Sequence, residues 1–209
     1  EPGRYSYYIS ILFEDNNPKT LGKTVETTVY LDDLNVRLYG ASYGLLGTDQ
    51  YGRDIFAQFL YGARISLYVG LLSAILSVVI GLFVGLVAGY IGGFVDEISM
   101  RLSDMLLVLP GLPLLIVLMA VLGTSLFNLI LIIGVLGWMG FSRVVRSQTL
   151  SLKERPFVEA AKAVGASRLH IIRRHILPNV MSLVYVSLAL SVPSAIISEA
   201  ALSWLGLFD

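Results

Sequence analysis

Hydrophobic positions in this chain come in long unbroken blocks rather than in alternating or one-faced patterns. Residues 65–95 carry no charged side chain over 31 positions, and residues 105–142 none over 38. An α-helix rises 1.5 Å per residue, so about 20 apolar residues cross a hydrocarbon layer of about 30 Å. The first block predicts one spanning helix over residues 65–91. The second is too long for one helix, and Gly123-Thr124-Ser125 divides it into spans over 105–122 and 126–141. A fourth span is predicted over 180–197, with Pro193 near its end. The pattern predicts an all-α polytopic membrane protein whose transmembrane domain covers residues 65–209.

The residues before the first block read differently. Residues 1–46 form a water-exposed region in which residues 24–30 and 35–39 have the β-branched and aromatic character of short strands. Residues 47–64 place Arg53, Asp54 and Arg64 among Ile55, Phe56, Phe59, Leu60 and Tyr61, the mix of an amphipathic segment at a membrane–water boundary. Contact with an extracellular protein is the alternative reading of that segment.

Composition agrees with the pattern: 56% of the 209 residues are hydrophobic and 14% charged, whereas soluble domains are about a quarter charged. The absence of cysteine excludes disulfide frameworks, thiolate metal sites and cysteine nucleophiles. No signal peptide is readable at the start. Net charge is zero, but its distribution is not even: residues 143–178 carry eight basic and two acidic side chains, residues 1–64 six basic and eight acidic. The excess of positive charge puts 143–178 in the cytoplasm and, with four spans, residues 1–64 and the tail after Ile197 outside. The connector 92–103 falls inside without charge support of its own.

A water-facing elbow is predicted within 143–178. Pro156 suits a first helical turn, where its missing N–H is no loss. A helix then runs from Phe157 past Glu159, Ala160 and Ala161 to Val164, and Gly165 supplies a left-handed stop. Ser167, after Ala166, caps a second helix through Leu169, Ile172 and Ile176, which Pro178, following Leu177, is expected to keep from continuing unbroken into the next span. Small alanines, a fixed angle and one exposed carboxylate suit docking of a partner; an ordinary solvated connection explains the same spacing.

Gly81, Gly85 and Gly89, four residues apart, lie on one face of the first span with Ser77, Ala74 and Gly70. In lipid such a face favours close helix packing, here preferred to a pore-lining role. Gly22-Lys23-Thr24 resembles the end of a phosphate-binding loop, but Asn17 stands where the first glycine is required. His170 and His175 are five apart and lack an acidic neighbour, a poor pattern for a metal site. Glu199 near the outer end of the last span fits a pathway residue or a structural one. Thr124 and Asn128 read as residues of a helix hairpin.

Glu159-Ala160-Ala161, Gly165 and Leu177-Pro178 together resemble the signature loop of binding-protein-dependent ABC importer permeases. The strings Gly47-Thr48-Asp49-Gln50-Tyr51-Gly52-Arg53-Asp54, Tyr61-Gly62-Ala63-Arg64, His175-Ile176-Leu177-Pro178-Asn179 and Glu199-Ala200-Ala201-Leu202-Ser203-Trp204-Leu205-Gly206 resemble the dipeptide/oligopeptide/nickel branch, C-type subunit. His175 departs from the isoleucine frequent in the general family. The resemblance implies a type I importer permease fold, in which Phe157, Glu159, Ala160, Ala161, Gly165, Ala166, Ser167, Leu177 and Pro178 belong to the element coupled to an ATPase. It implies a non-catalytic subunit in the plasma or inner membrane, with no cofactor of its own. ATP and Mg²⁺ would sit on two cytoplasmic ATPase partners. A homologous second permease and an extracellular solute-binding protein would complete the assembly. Cargo is left open between peptides, nickel complexes and oligosaccharides. The family fold has one more span at each end, so the chain reads as a segment of a six-span protein.

Overall fold

The computed structural model describes residues 45–49 and 53–206; the strand segments expected at 24–30 and 35–39 lie outside the described residues. Asp54 opens the first helix by accepting hydrogen bonds from the N–H groups of Phe56 (2.8 Å) and Ala57 (3.4 Å). The stretch before it is tied to the same start, with Ile55 N–H donating to the Gly47 carbonyl at 3.0 Å. Helix α1 then runs without interruption over Ile55–Ile91, 37 residues, about 55 Å long. The segment 47–64 expected to lie apart at the boundary is therefore not a separate helix. Residues 55–64 are the opening turns of α1, because they contain no proline and Gly62 alone does not break the ladder.

A second expectation is also corrected. Residues 105–122 do not form one straight span: α2 (Gly93–Val108) and α3 (Gly111–Leu122) meet at 92°. The break falls where proline chemistry puts it. Leu109 precedes Pro110 and is forced out of the helical region, to φ −71° and ψ 134°. Gly123 ends α3 with φ +91°. Ser125 then caps α4 (Leu126–Lys153) by accepting from Asn128 N–H at 3.1 Å. Asn128 closes the hairpin from the other side, its Nδ2 donating to the carbonyls of Leu122 (2.6 Å) and Gly123 (3.0 Å).

α4 outlasts the span 126–141 assigned to it, so Arg143, Arg146 and Lys153 sit on its continuation rather than in a loop. After it come α5 (Pro156–Ala163), α6 (Arg168–Ile171), a single π turn (Ile172–Ile176) and α7 (Leu177–Trp204). Among the described residues three helices are long and apolar enough to cross a membrane, α1, α4 and the rod 168–204, with the bent α2–α3 pair as a fourth element.

Helices α1 and α4 approach backbone to backbone. A Cβ on Gly81 would lie 2.9 Å from the Trp138 carbonyl oxygen, one on Gly85 2.5 Å from that of Ser142, and one on Gly89 2.9 Å from that of Arg146. Real Cβ atoms do not come that close, so glycine is required on steric grounds. The contact is reciprocal, since a Cβ on Gly134 or Gly137 would come within 2.6 Å of the Leu76 and Ser77 side chains. Gly70, higher on the same helix, meets Ile196 and the Val192 carbonyl of α7 instead. Apolar burial drives little between helices in lipid, and this intimacy supplies the dispersion that replaces it.

Two apolar clusters divide the core by level. One joins Val69 to Leu115, Met119, Leu129, Ile132 and Leu202 near the α3–α4 hairpin. The other joins Val78, Leu86, Phe141, Val145 and Leu152 to Val158, Ile171, Ile176, Val180 and Val184 at the opposite end. Two ion pairs fasten α2 to the basic end of α4: Arg146 with Asp96, and Arg143 with Asp104. The Asp96 carboxylate, chiefly by its hydrogen bond, holds the Arg146 guanidinium above its ordinary pKa against the opposing effect of burial. The connector 92–103 thus lies at the same end of the bundle as Arg143 and Arg146; its Asp96 answers the charge of Arg146, and Asp104, just beyond it, that of Arg143.

Gly85→Leu is expected to drive α1 and α4 apart, since the new Cβ meets backbone rather than a movable side chain. Overpacking of this kind costs about 1–3 kcal/mol or more, to be read as lower yield and a lower midpoint of thermal unfolding in detergent. Unchanged values for both would remove the requirement for glycine at this position.

Candidate functional site

The elbow between α4 and α7 is built from local chemistry that its sequence specifies closely. Pro156 occupies the first helical turn of α5. At the far end of α5, Gly165 N–H donates to the Lys162 carbonyl and Ala166 N–H to the Ala161 carbonyl, both at 3.0 Å. These two bonds close a helix on a left-handed residue, and Gly165 is that residue at φ +82°. Nothing lies within 4 Å of a Cβ built there, so the backbone conformation, not space, calls for glycine. Ser167 caps α6 by accepting from His170 N–H at 3.4 Å. The Glu159-Ala160-Ala161 to Gly165 spacing is thus the spacing of one short helix and its stop.

Three fully buried side chains root the elbow in the membrane bundle. Val158 of α5 is 0% exposed, and Ile171 and Ile176 are buried with it, in the same cluster as Val145 and Leu152 of α4 and Val180 of α7. Ala161, Ala166 and Leu177 pack against this cluster from its edge. The Lys162 ammonium reaches back to the Lys153 carbonyl at 3.3 Å. The predicted site residues therefore divide into two groups. Ala161, Ala166 and Leu177 face inward; Phe157, Glu159, Ala160, Gly165, Ser167 and Pro178 are exposed.

Pro178 does not interrupt the chain as expected. The helix runs from Arg168 to Trp204 with one wider turn, in which Leu177 N–H donates to the Ile172 carbonyl five residues back. A π turn at this point makes room for the proline ring, which in an ordinary helix collides with the carbonyl four residues earlier. The neighbouring Asn179 completes the repair, its Nδ2 donating to the His175 carbonyl at 2.6 Å. Leu177-Pro178-Asn179 thereby joins the elbow to α7 as one rod. The rings of His170 and Phe157 each stand 6.1 Å from that of His175 and tilted to it, centroid to centroid. Among the described residues no three His, Asp or Glu side chains are grouped for a metal ion.

Two residues of the elbow were not singled out from the sequence. Val164 is 85% exposed and Leu169 64% exposed, flanking the Gly165 turn on either side. Ile171, not Leu169, is the residue of α6 that is buried. Both large apolar side chains are held out at a turn rich in charged neighbours. A signal existed: Val158 and Ala161 define the inward stripe of α5, and Val164 does not fall on it.

Among the described residues, two of the larger cavities lie within the bundle. One of about 440 Å³ opens between α1, α3, α4 and α7, with Ser73, Ser77, Ser187, Ser191, Ser194 and Ser198 among its lining residues. The other, of about 420 Å³, lies near the α3–α4 hairpin and includes Ser66, Thr124, Glu199 and Ser203. Glu199 is only 8% exposed. It accepts hydrogen bonds from Ser66 Oγ at 2.9 Å and Ser203 Oγ at 3.3 Å.

A bundle of long apolar helices with a two-helix elbow at one end is the architecture of a multi-pass membrane protein. Residues 81–209 match the family described as the binding-protein-dependent transport system inner membrane component, and the chain belongs to that family. It is similar to the dipeptide transport system permease protein DppC of Bacillus subtilis (strain 168), 46% identical over 161 residues, which are 77% of this chain and 50% of that protein. The oligopeptide transport system permease protein OppC of the same strain is 44% identical over 77% of this chain and 53% of its own length. The glutathione transport system permease protein GsiD of Escherichia coli O1:K1 / APEC is 43% identical over the same shares. The chain spans about half the length of these curated relatives.

Gly165→Ala is expected to loosen the elbow, because a Cβ in the left-handed region costs about 1 kcal/mol. In membranes holding this chain alone, tryptic cleavage at Lys162 and Arg168 should quicken about fivefold, the factor that 1 kcal/mol gives the open form. An unaltered cleavage rate would show that the stop at Gly165 is not what holds α5 in place.

Proposed function

We propose that the protein to which this chain belongs is a non-catalytic permease subunit of an ATP-driven importer, forming part of the pathway for peptides and coupling it to separate ATPase subunits. The observation that carries this reading is the elbow itself. It presents Glu159, Val164 and Leu169 outward, while Val158, Ile171 and Ile176 bury the same element in a core shared by α1, α4 and α7. A partner gripping the outer face moves the inner one, because a close-packed core transmits displacement instead of absorbing it.

The mechanism needs two states of the bundle, one open to each side, and a partner whose grip on the elbow differs between them; only differential affinity shifts such an equilibrium. Nucleotide-driven closure of two ATPases supplies that difference. The exposed Glu159 offers one charge-assisted acceptor to a basic residue of the ATPase, and Val164 with Leu169 offers the apolar anchors. The elbow is cytoplasmic in this reading, and residues 1–64 face outward, toward a solute-binding protein. A homologous second permease completes the pathway.

Peptide cargo is the reading favoured by relatives named for dipeptides, oligopeptides and glutathione. The cavity lined by Ser73, Ser77 and the α7 serines suits that cargo. Hydroxyls both donate and accept, which matches the alternating N–H and C=O groups of a peptide backbone without selecting side chains.

Glu159→Lys and Val164→Asp are expected to leave membrane insertion and assembly intact while lowering the hydrolysis stimulated by cargo-loaded binding protein about tenfold or more, as loss of an interface anchor does. Full stimulation and uptake in both variants would refute the coupling role. Because the sequence contains no cysteine, a single Ala163→Cys substitution gives a clean label for sidedness. A membrane-impermeant maleimide should reach it from the cytoplasmic side alone, and labelling of intact cells from outside would invert the proposed topology.

A further inference from the structure

Glu199 is a buried carboxylate whose hydrogen-bond partners among the described residues are two hydroxyls. None of the ion pairs among the described residues includes it. An unpaired charge withdrawn from water is costly unless a counter-charge arrives. Glu199 also borders the cavity of about 420 Å³ that Gly62, Ser66, Thr124, Leu126 and Ser203 help to line. That cavity lies at the α3–α4 hairpin, where α1 begins, and so at the end of the bundle remote from the elbow.

We propose that Glu199, with the Ser66 and Ser203 hydroxyls, forms a receiving site for a primary ammonium group, that of a peptide cargo with a free amino terminus. Three features favour this chemistry. Ser66 and Ser203 spend their protons on the carboxylate, so their remaining lone pairs are left to accept. A primary ammonium has three donors and no acceptor, the complement of one carboxylate among hydroxyl oxygens. The space beside Glu199 has the volume of an organic-ligand site rather than of a bare ion. The same carboxylate bridges α1 and α7, because Ser66 belongs to the first and Ser203 to the second. A cation bound there competes for the electron pairs that hold the two helices together, and so its arrival is felt by both.

This site rests on the reading of the protein as a peptide-importer permease, and it gives that reading a contact to the cargo. The test uses the intact importer in lipid nanodiscs without nucleotide, so that the outcome does not depend on coupling. A water-soluble carbodiimide with an amine tag modifies exposed carboxylates, and peptide mass spectrometry reads the extent at Glu199. Saturating trialanine is expected to slow modification of Glu199 about tenfold by mass action; N-acetyl-trialanine and sodium chloride should give little protection. Equal protection by the acetylated peptide shows that the amino group is not what binds and overturns the proposal. Equal protection by sodium chloride assigns the site to an inorganic cation and overturns it as well. No protection by any of the three leaves Glu199 as a link between helices and also sinks the idea. Glu199→Gln is further expected to raise the trialanine concentration for half-maximal uptake about tenfold, as loss of a buried charge partner does. A value equal to that of the unaltered importer contradicts the site. Failure of the coupling reading would show instead in the elbow variants, with protection by trialanine still present.

Discussion

The α1–α4 contact sets the geometry of everything else. Gly81, Gly85 and Gly89 place the backbone of one helix against the Trp138, Ser142 and Arg146 carbonyls of the other. At that separation only Phe141, Val145 and Thr149 of α4 reach between the helices, and their relative position is fixed over just over two turns of α1. The clusters on either side depend on this spine. α3 leans on α4 through Leu115 and Met119, and α7 crosses the same pair at Gly70 and Val180. Polar atoms within the spine are satisfied locally, as lipid requires. Thr149 Oγ1 donates to the Val145 carbonyl at 2.7 Å and Ser142 Oγ to that of Met139 at 2.7 Å. Among the described residues no buried side-chain nitrogen or oxygen lacks a partner.

The elbow inherits its rigidity from that spine. A helix of eight residues is marginal by itself in water, and α5 persists because Val158 is sealed beneath Leu152 and Ile171 while the Gly165 turn ties off its carbonyls. The π turn and Asn179 then carry α6 into α7 without a flexible joint. Glu159 is therefore linked to Trp204, some forty-five residues further on, by packed atoms, the short turn at Gly165 and one continuous helix. The bend between α2 and α3 stands apart from this route, pinned by Asp96 and Asp104 to the basic end of α4.

Sequence patterns were most informative where one residue type has one physical use. Gly165, Ser167 and Pro156 announced a stop, a cap and a first turn, and the glycine spacing in the first span announced a close face. Hydropathy was less informative about helix ends, because a charged residue marks where lipid stops, not where hydrogen bonding stops; α1 begins ten residues before the uncharged block, and α4 continues eleven beyond Ser142. The bend at Pro110 was written in the sequence but is invisible to averaged hydrophobicity, which carries no backbone information. Pro178 misled in the opposite direction, since a wider turn and an adjacent amide let the helix pass through it. The outward Val164 and Leu169 escaped notice because apolar residues beside membrane spans read as more of the same. Glu199 was legible as unusual but not as hydrogen-bonded, since Ser66 lies 133 residues away in the chain.

The two cavities differ in how they are stabilised when empty, and that difference bears on transport. A serine on a helix has a resident acceptor, the carbonyl four residues back, and Ser198 uses it, donating to the Ser194 carbonyl at 3.0 Å. The serine-lined space therefore holds no group that must be bound, and a passing solute exchanges one set of hydrogen bonds for another at little cost. In the importer reading proposed above, such a surface lets many solutes move and retains none. A carboxylate has no resident countercharge on its own helix, and at Glu199 the hydroxyls of Ser66 and Ser203 quiet its oxygens without neutralising its charge. A pathway that must first accept and then release needs both kinds of surface: one with an unmet demand near the entrance and one without any beyond it. α7 presents them about one to two turns apart, with Glu199 toward the hairpin and Ser194 and Ser191 beyond it.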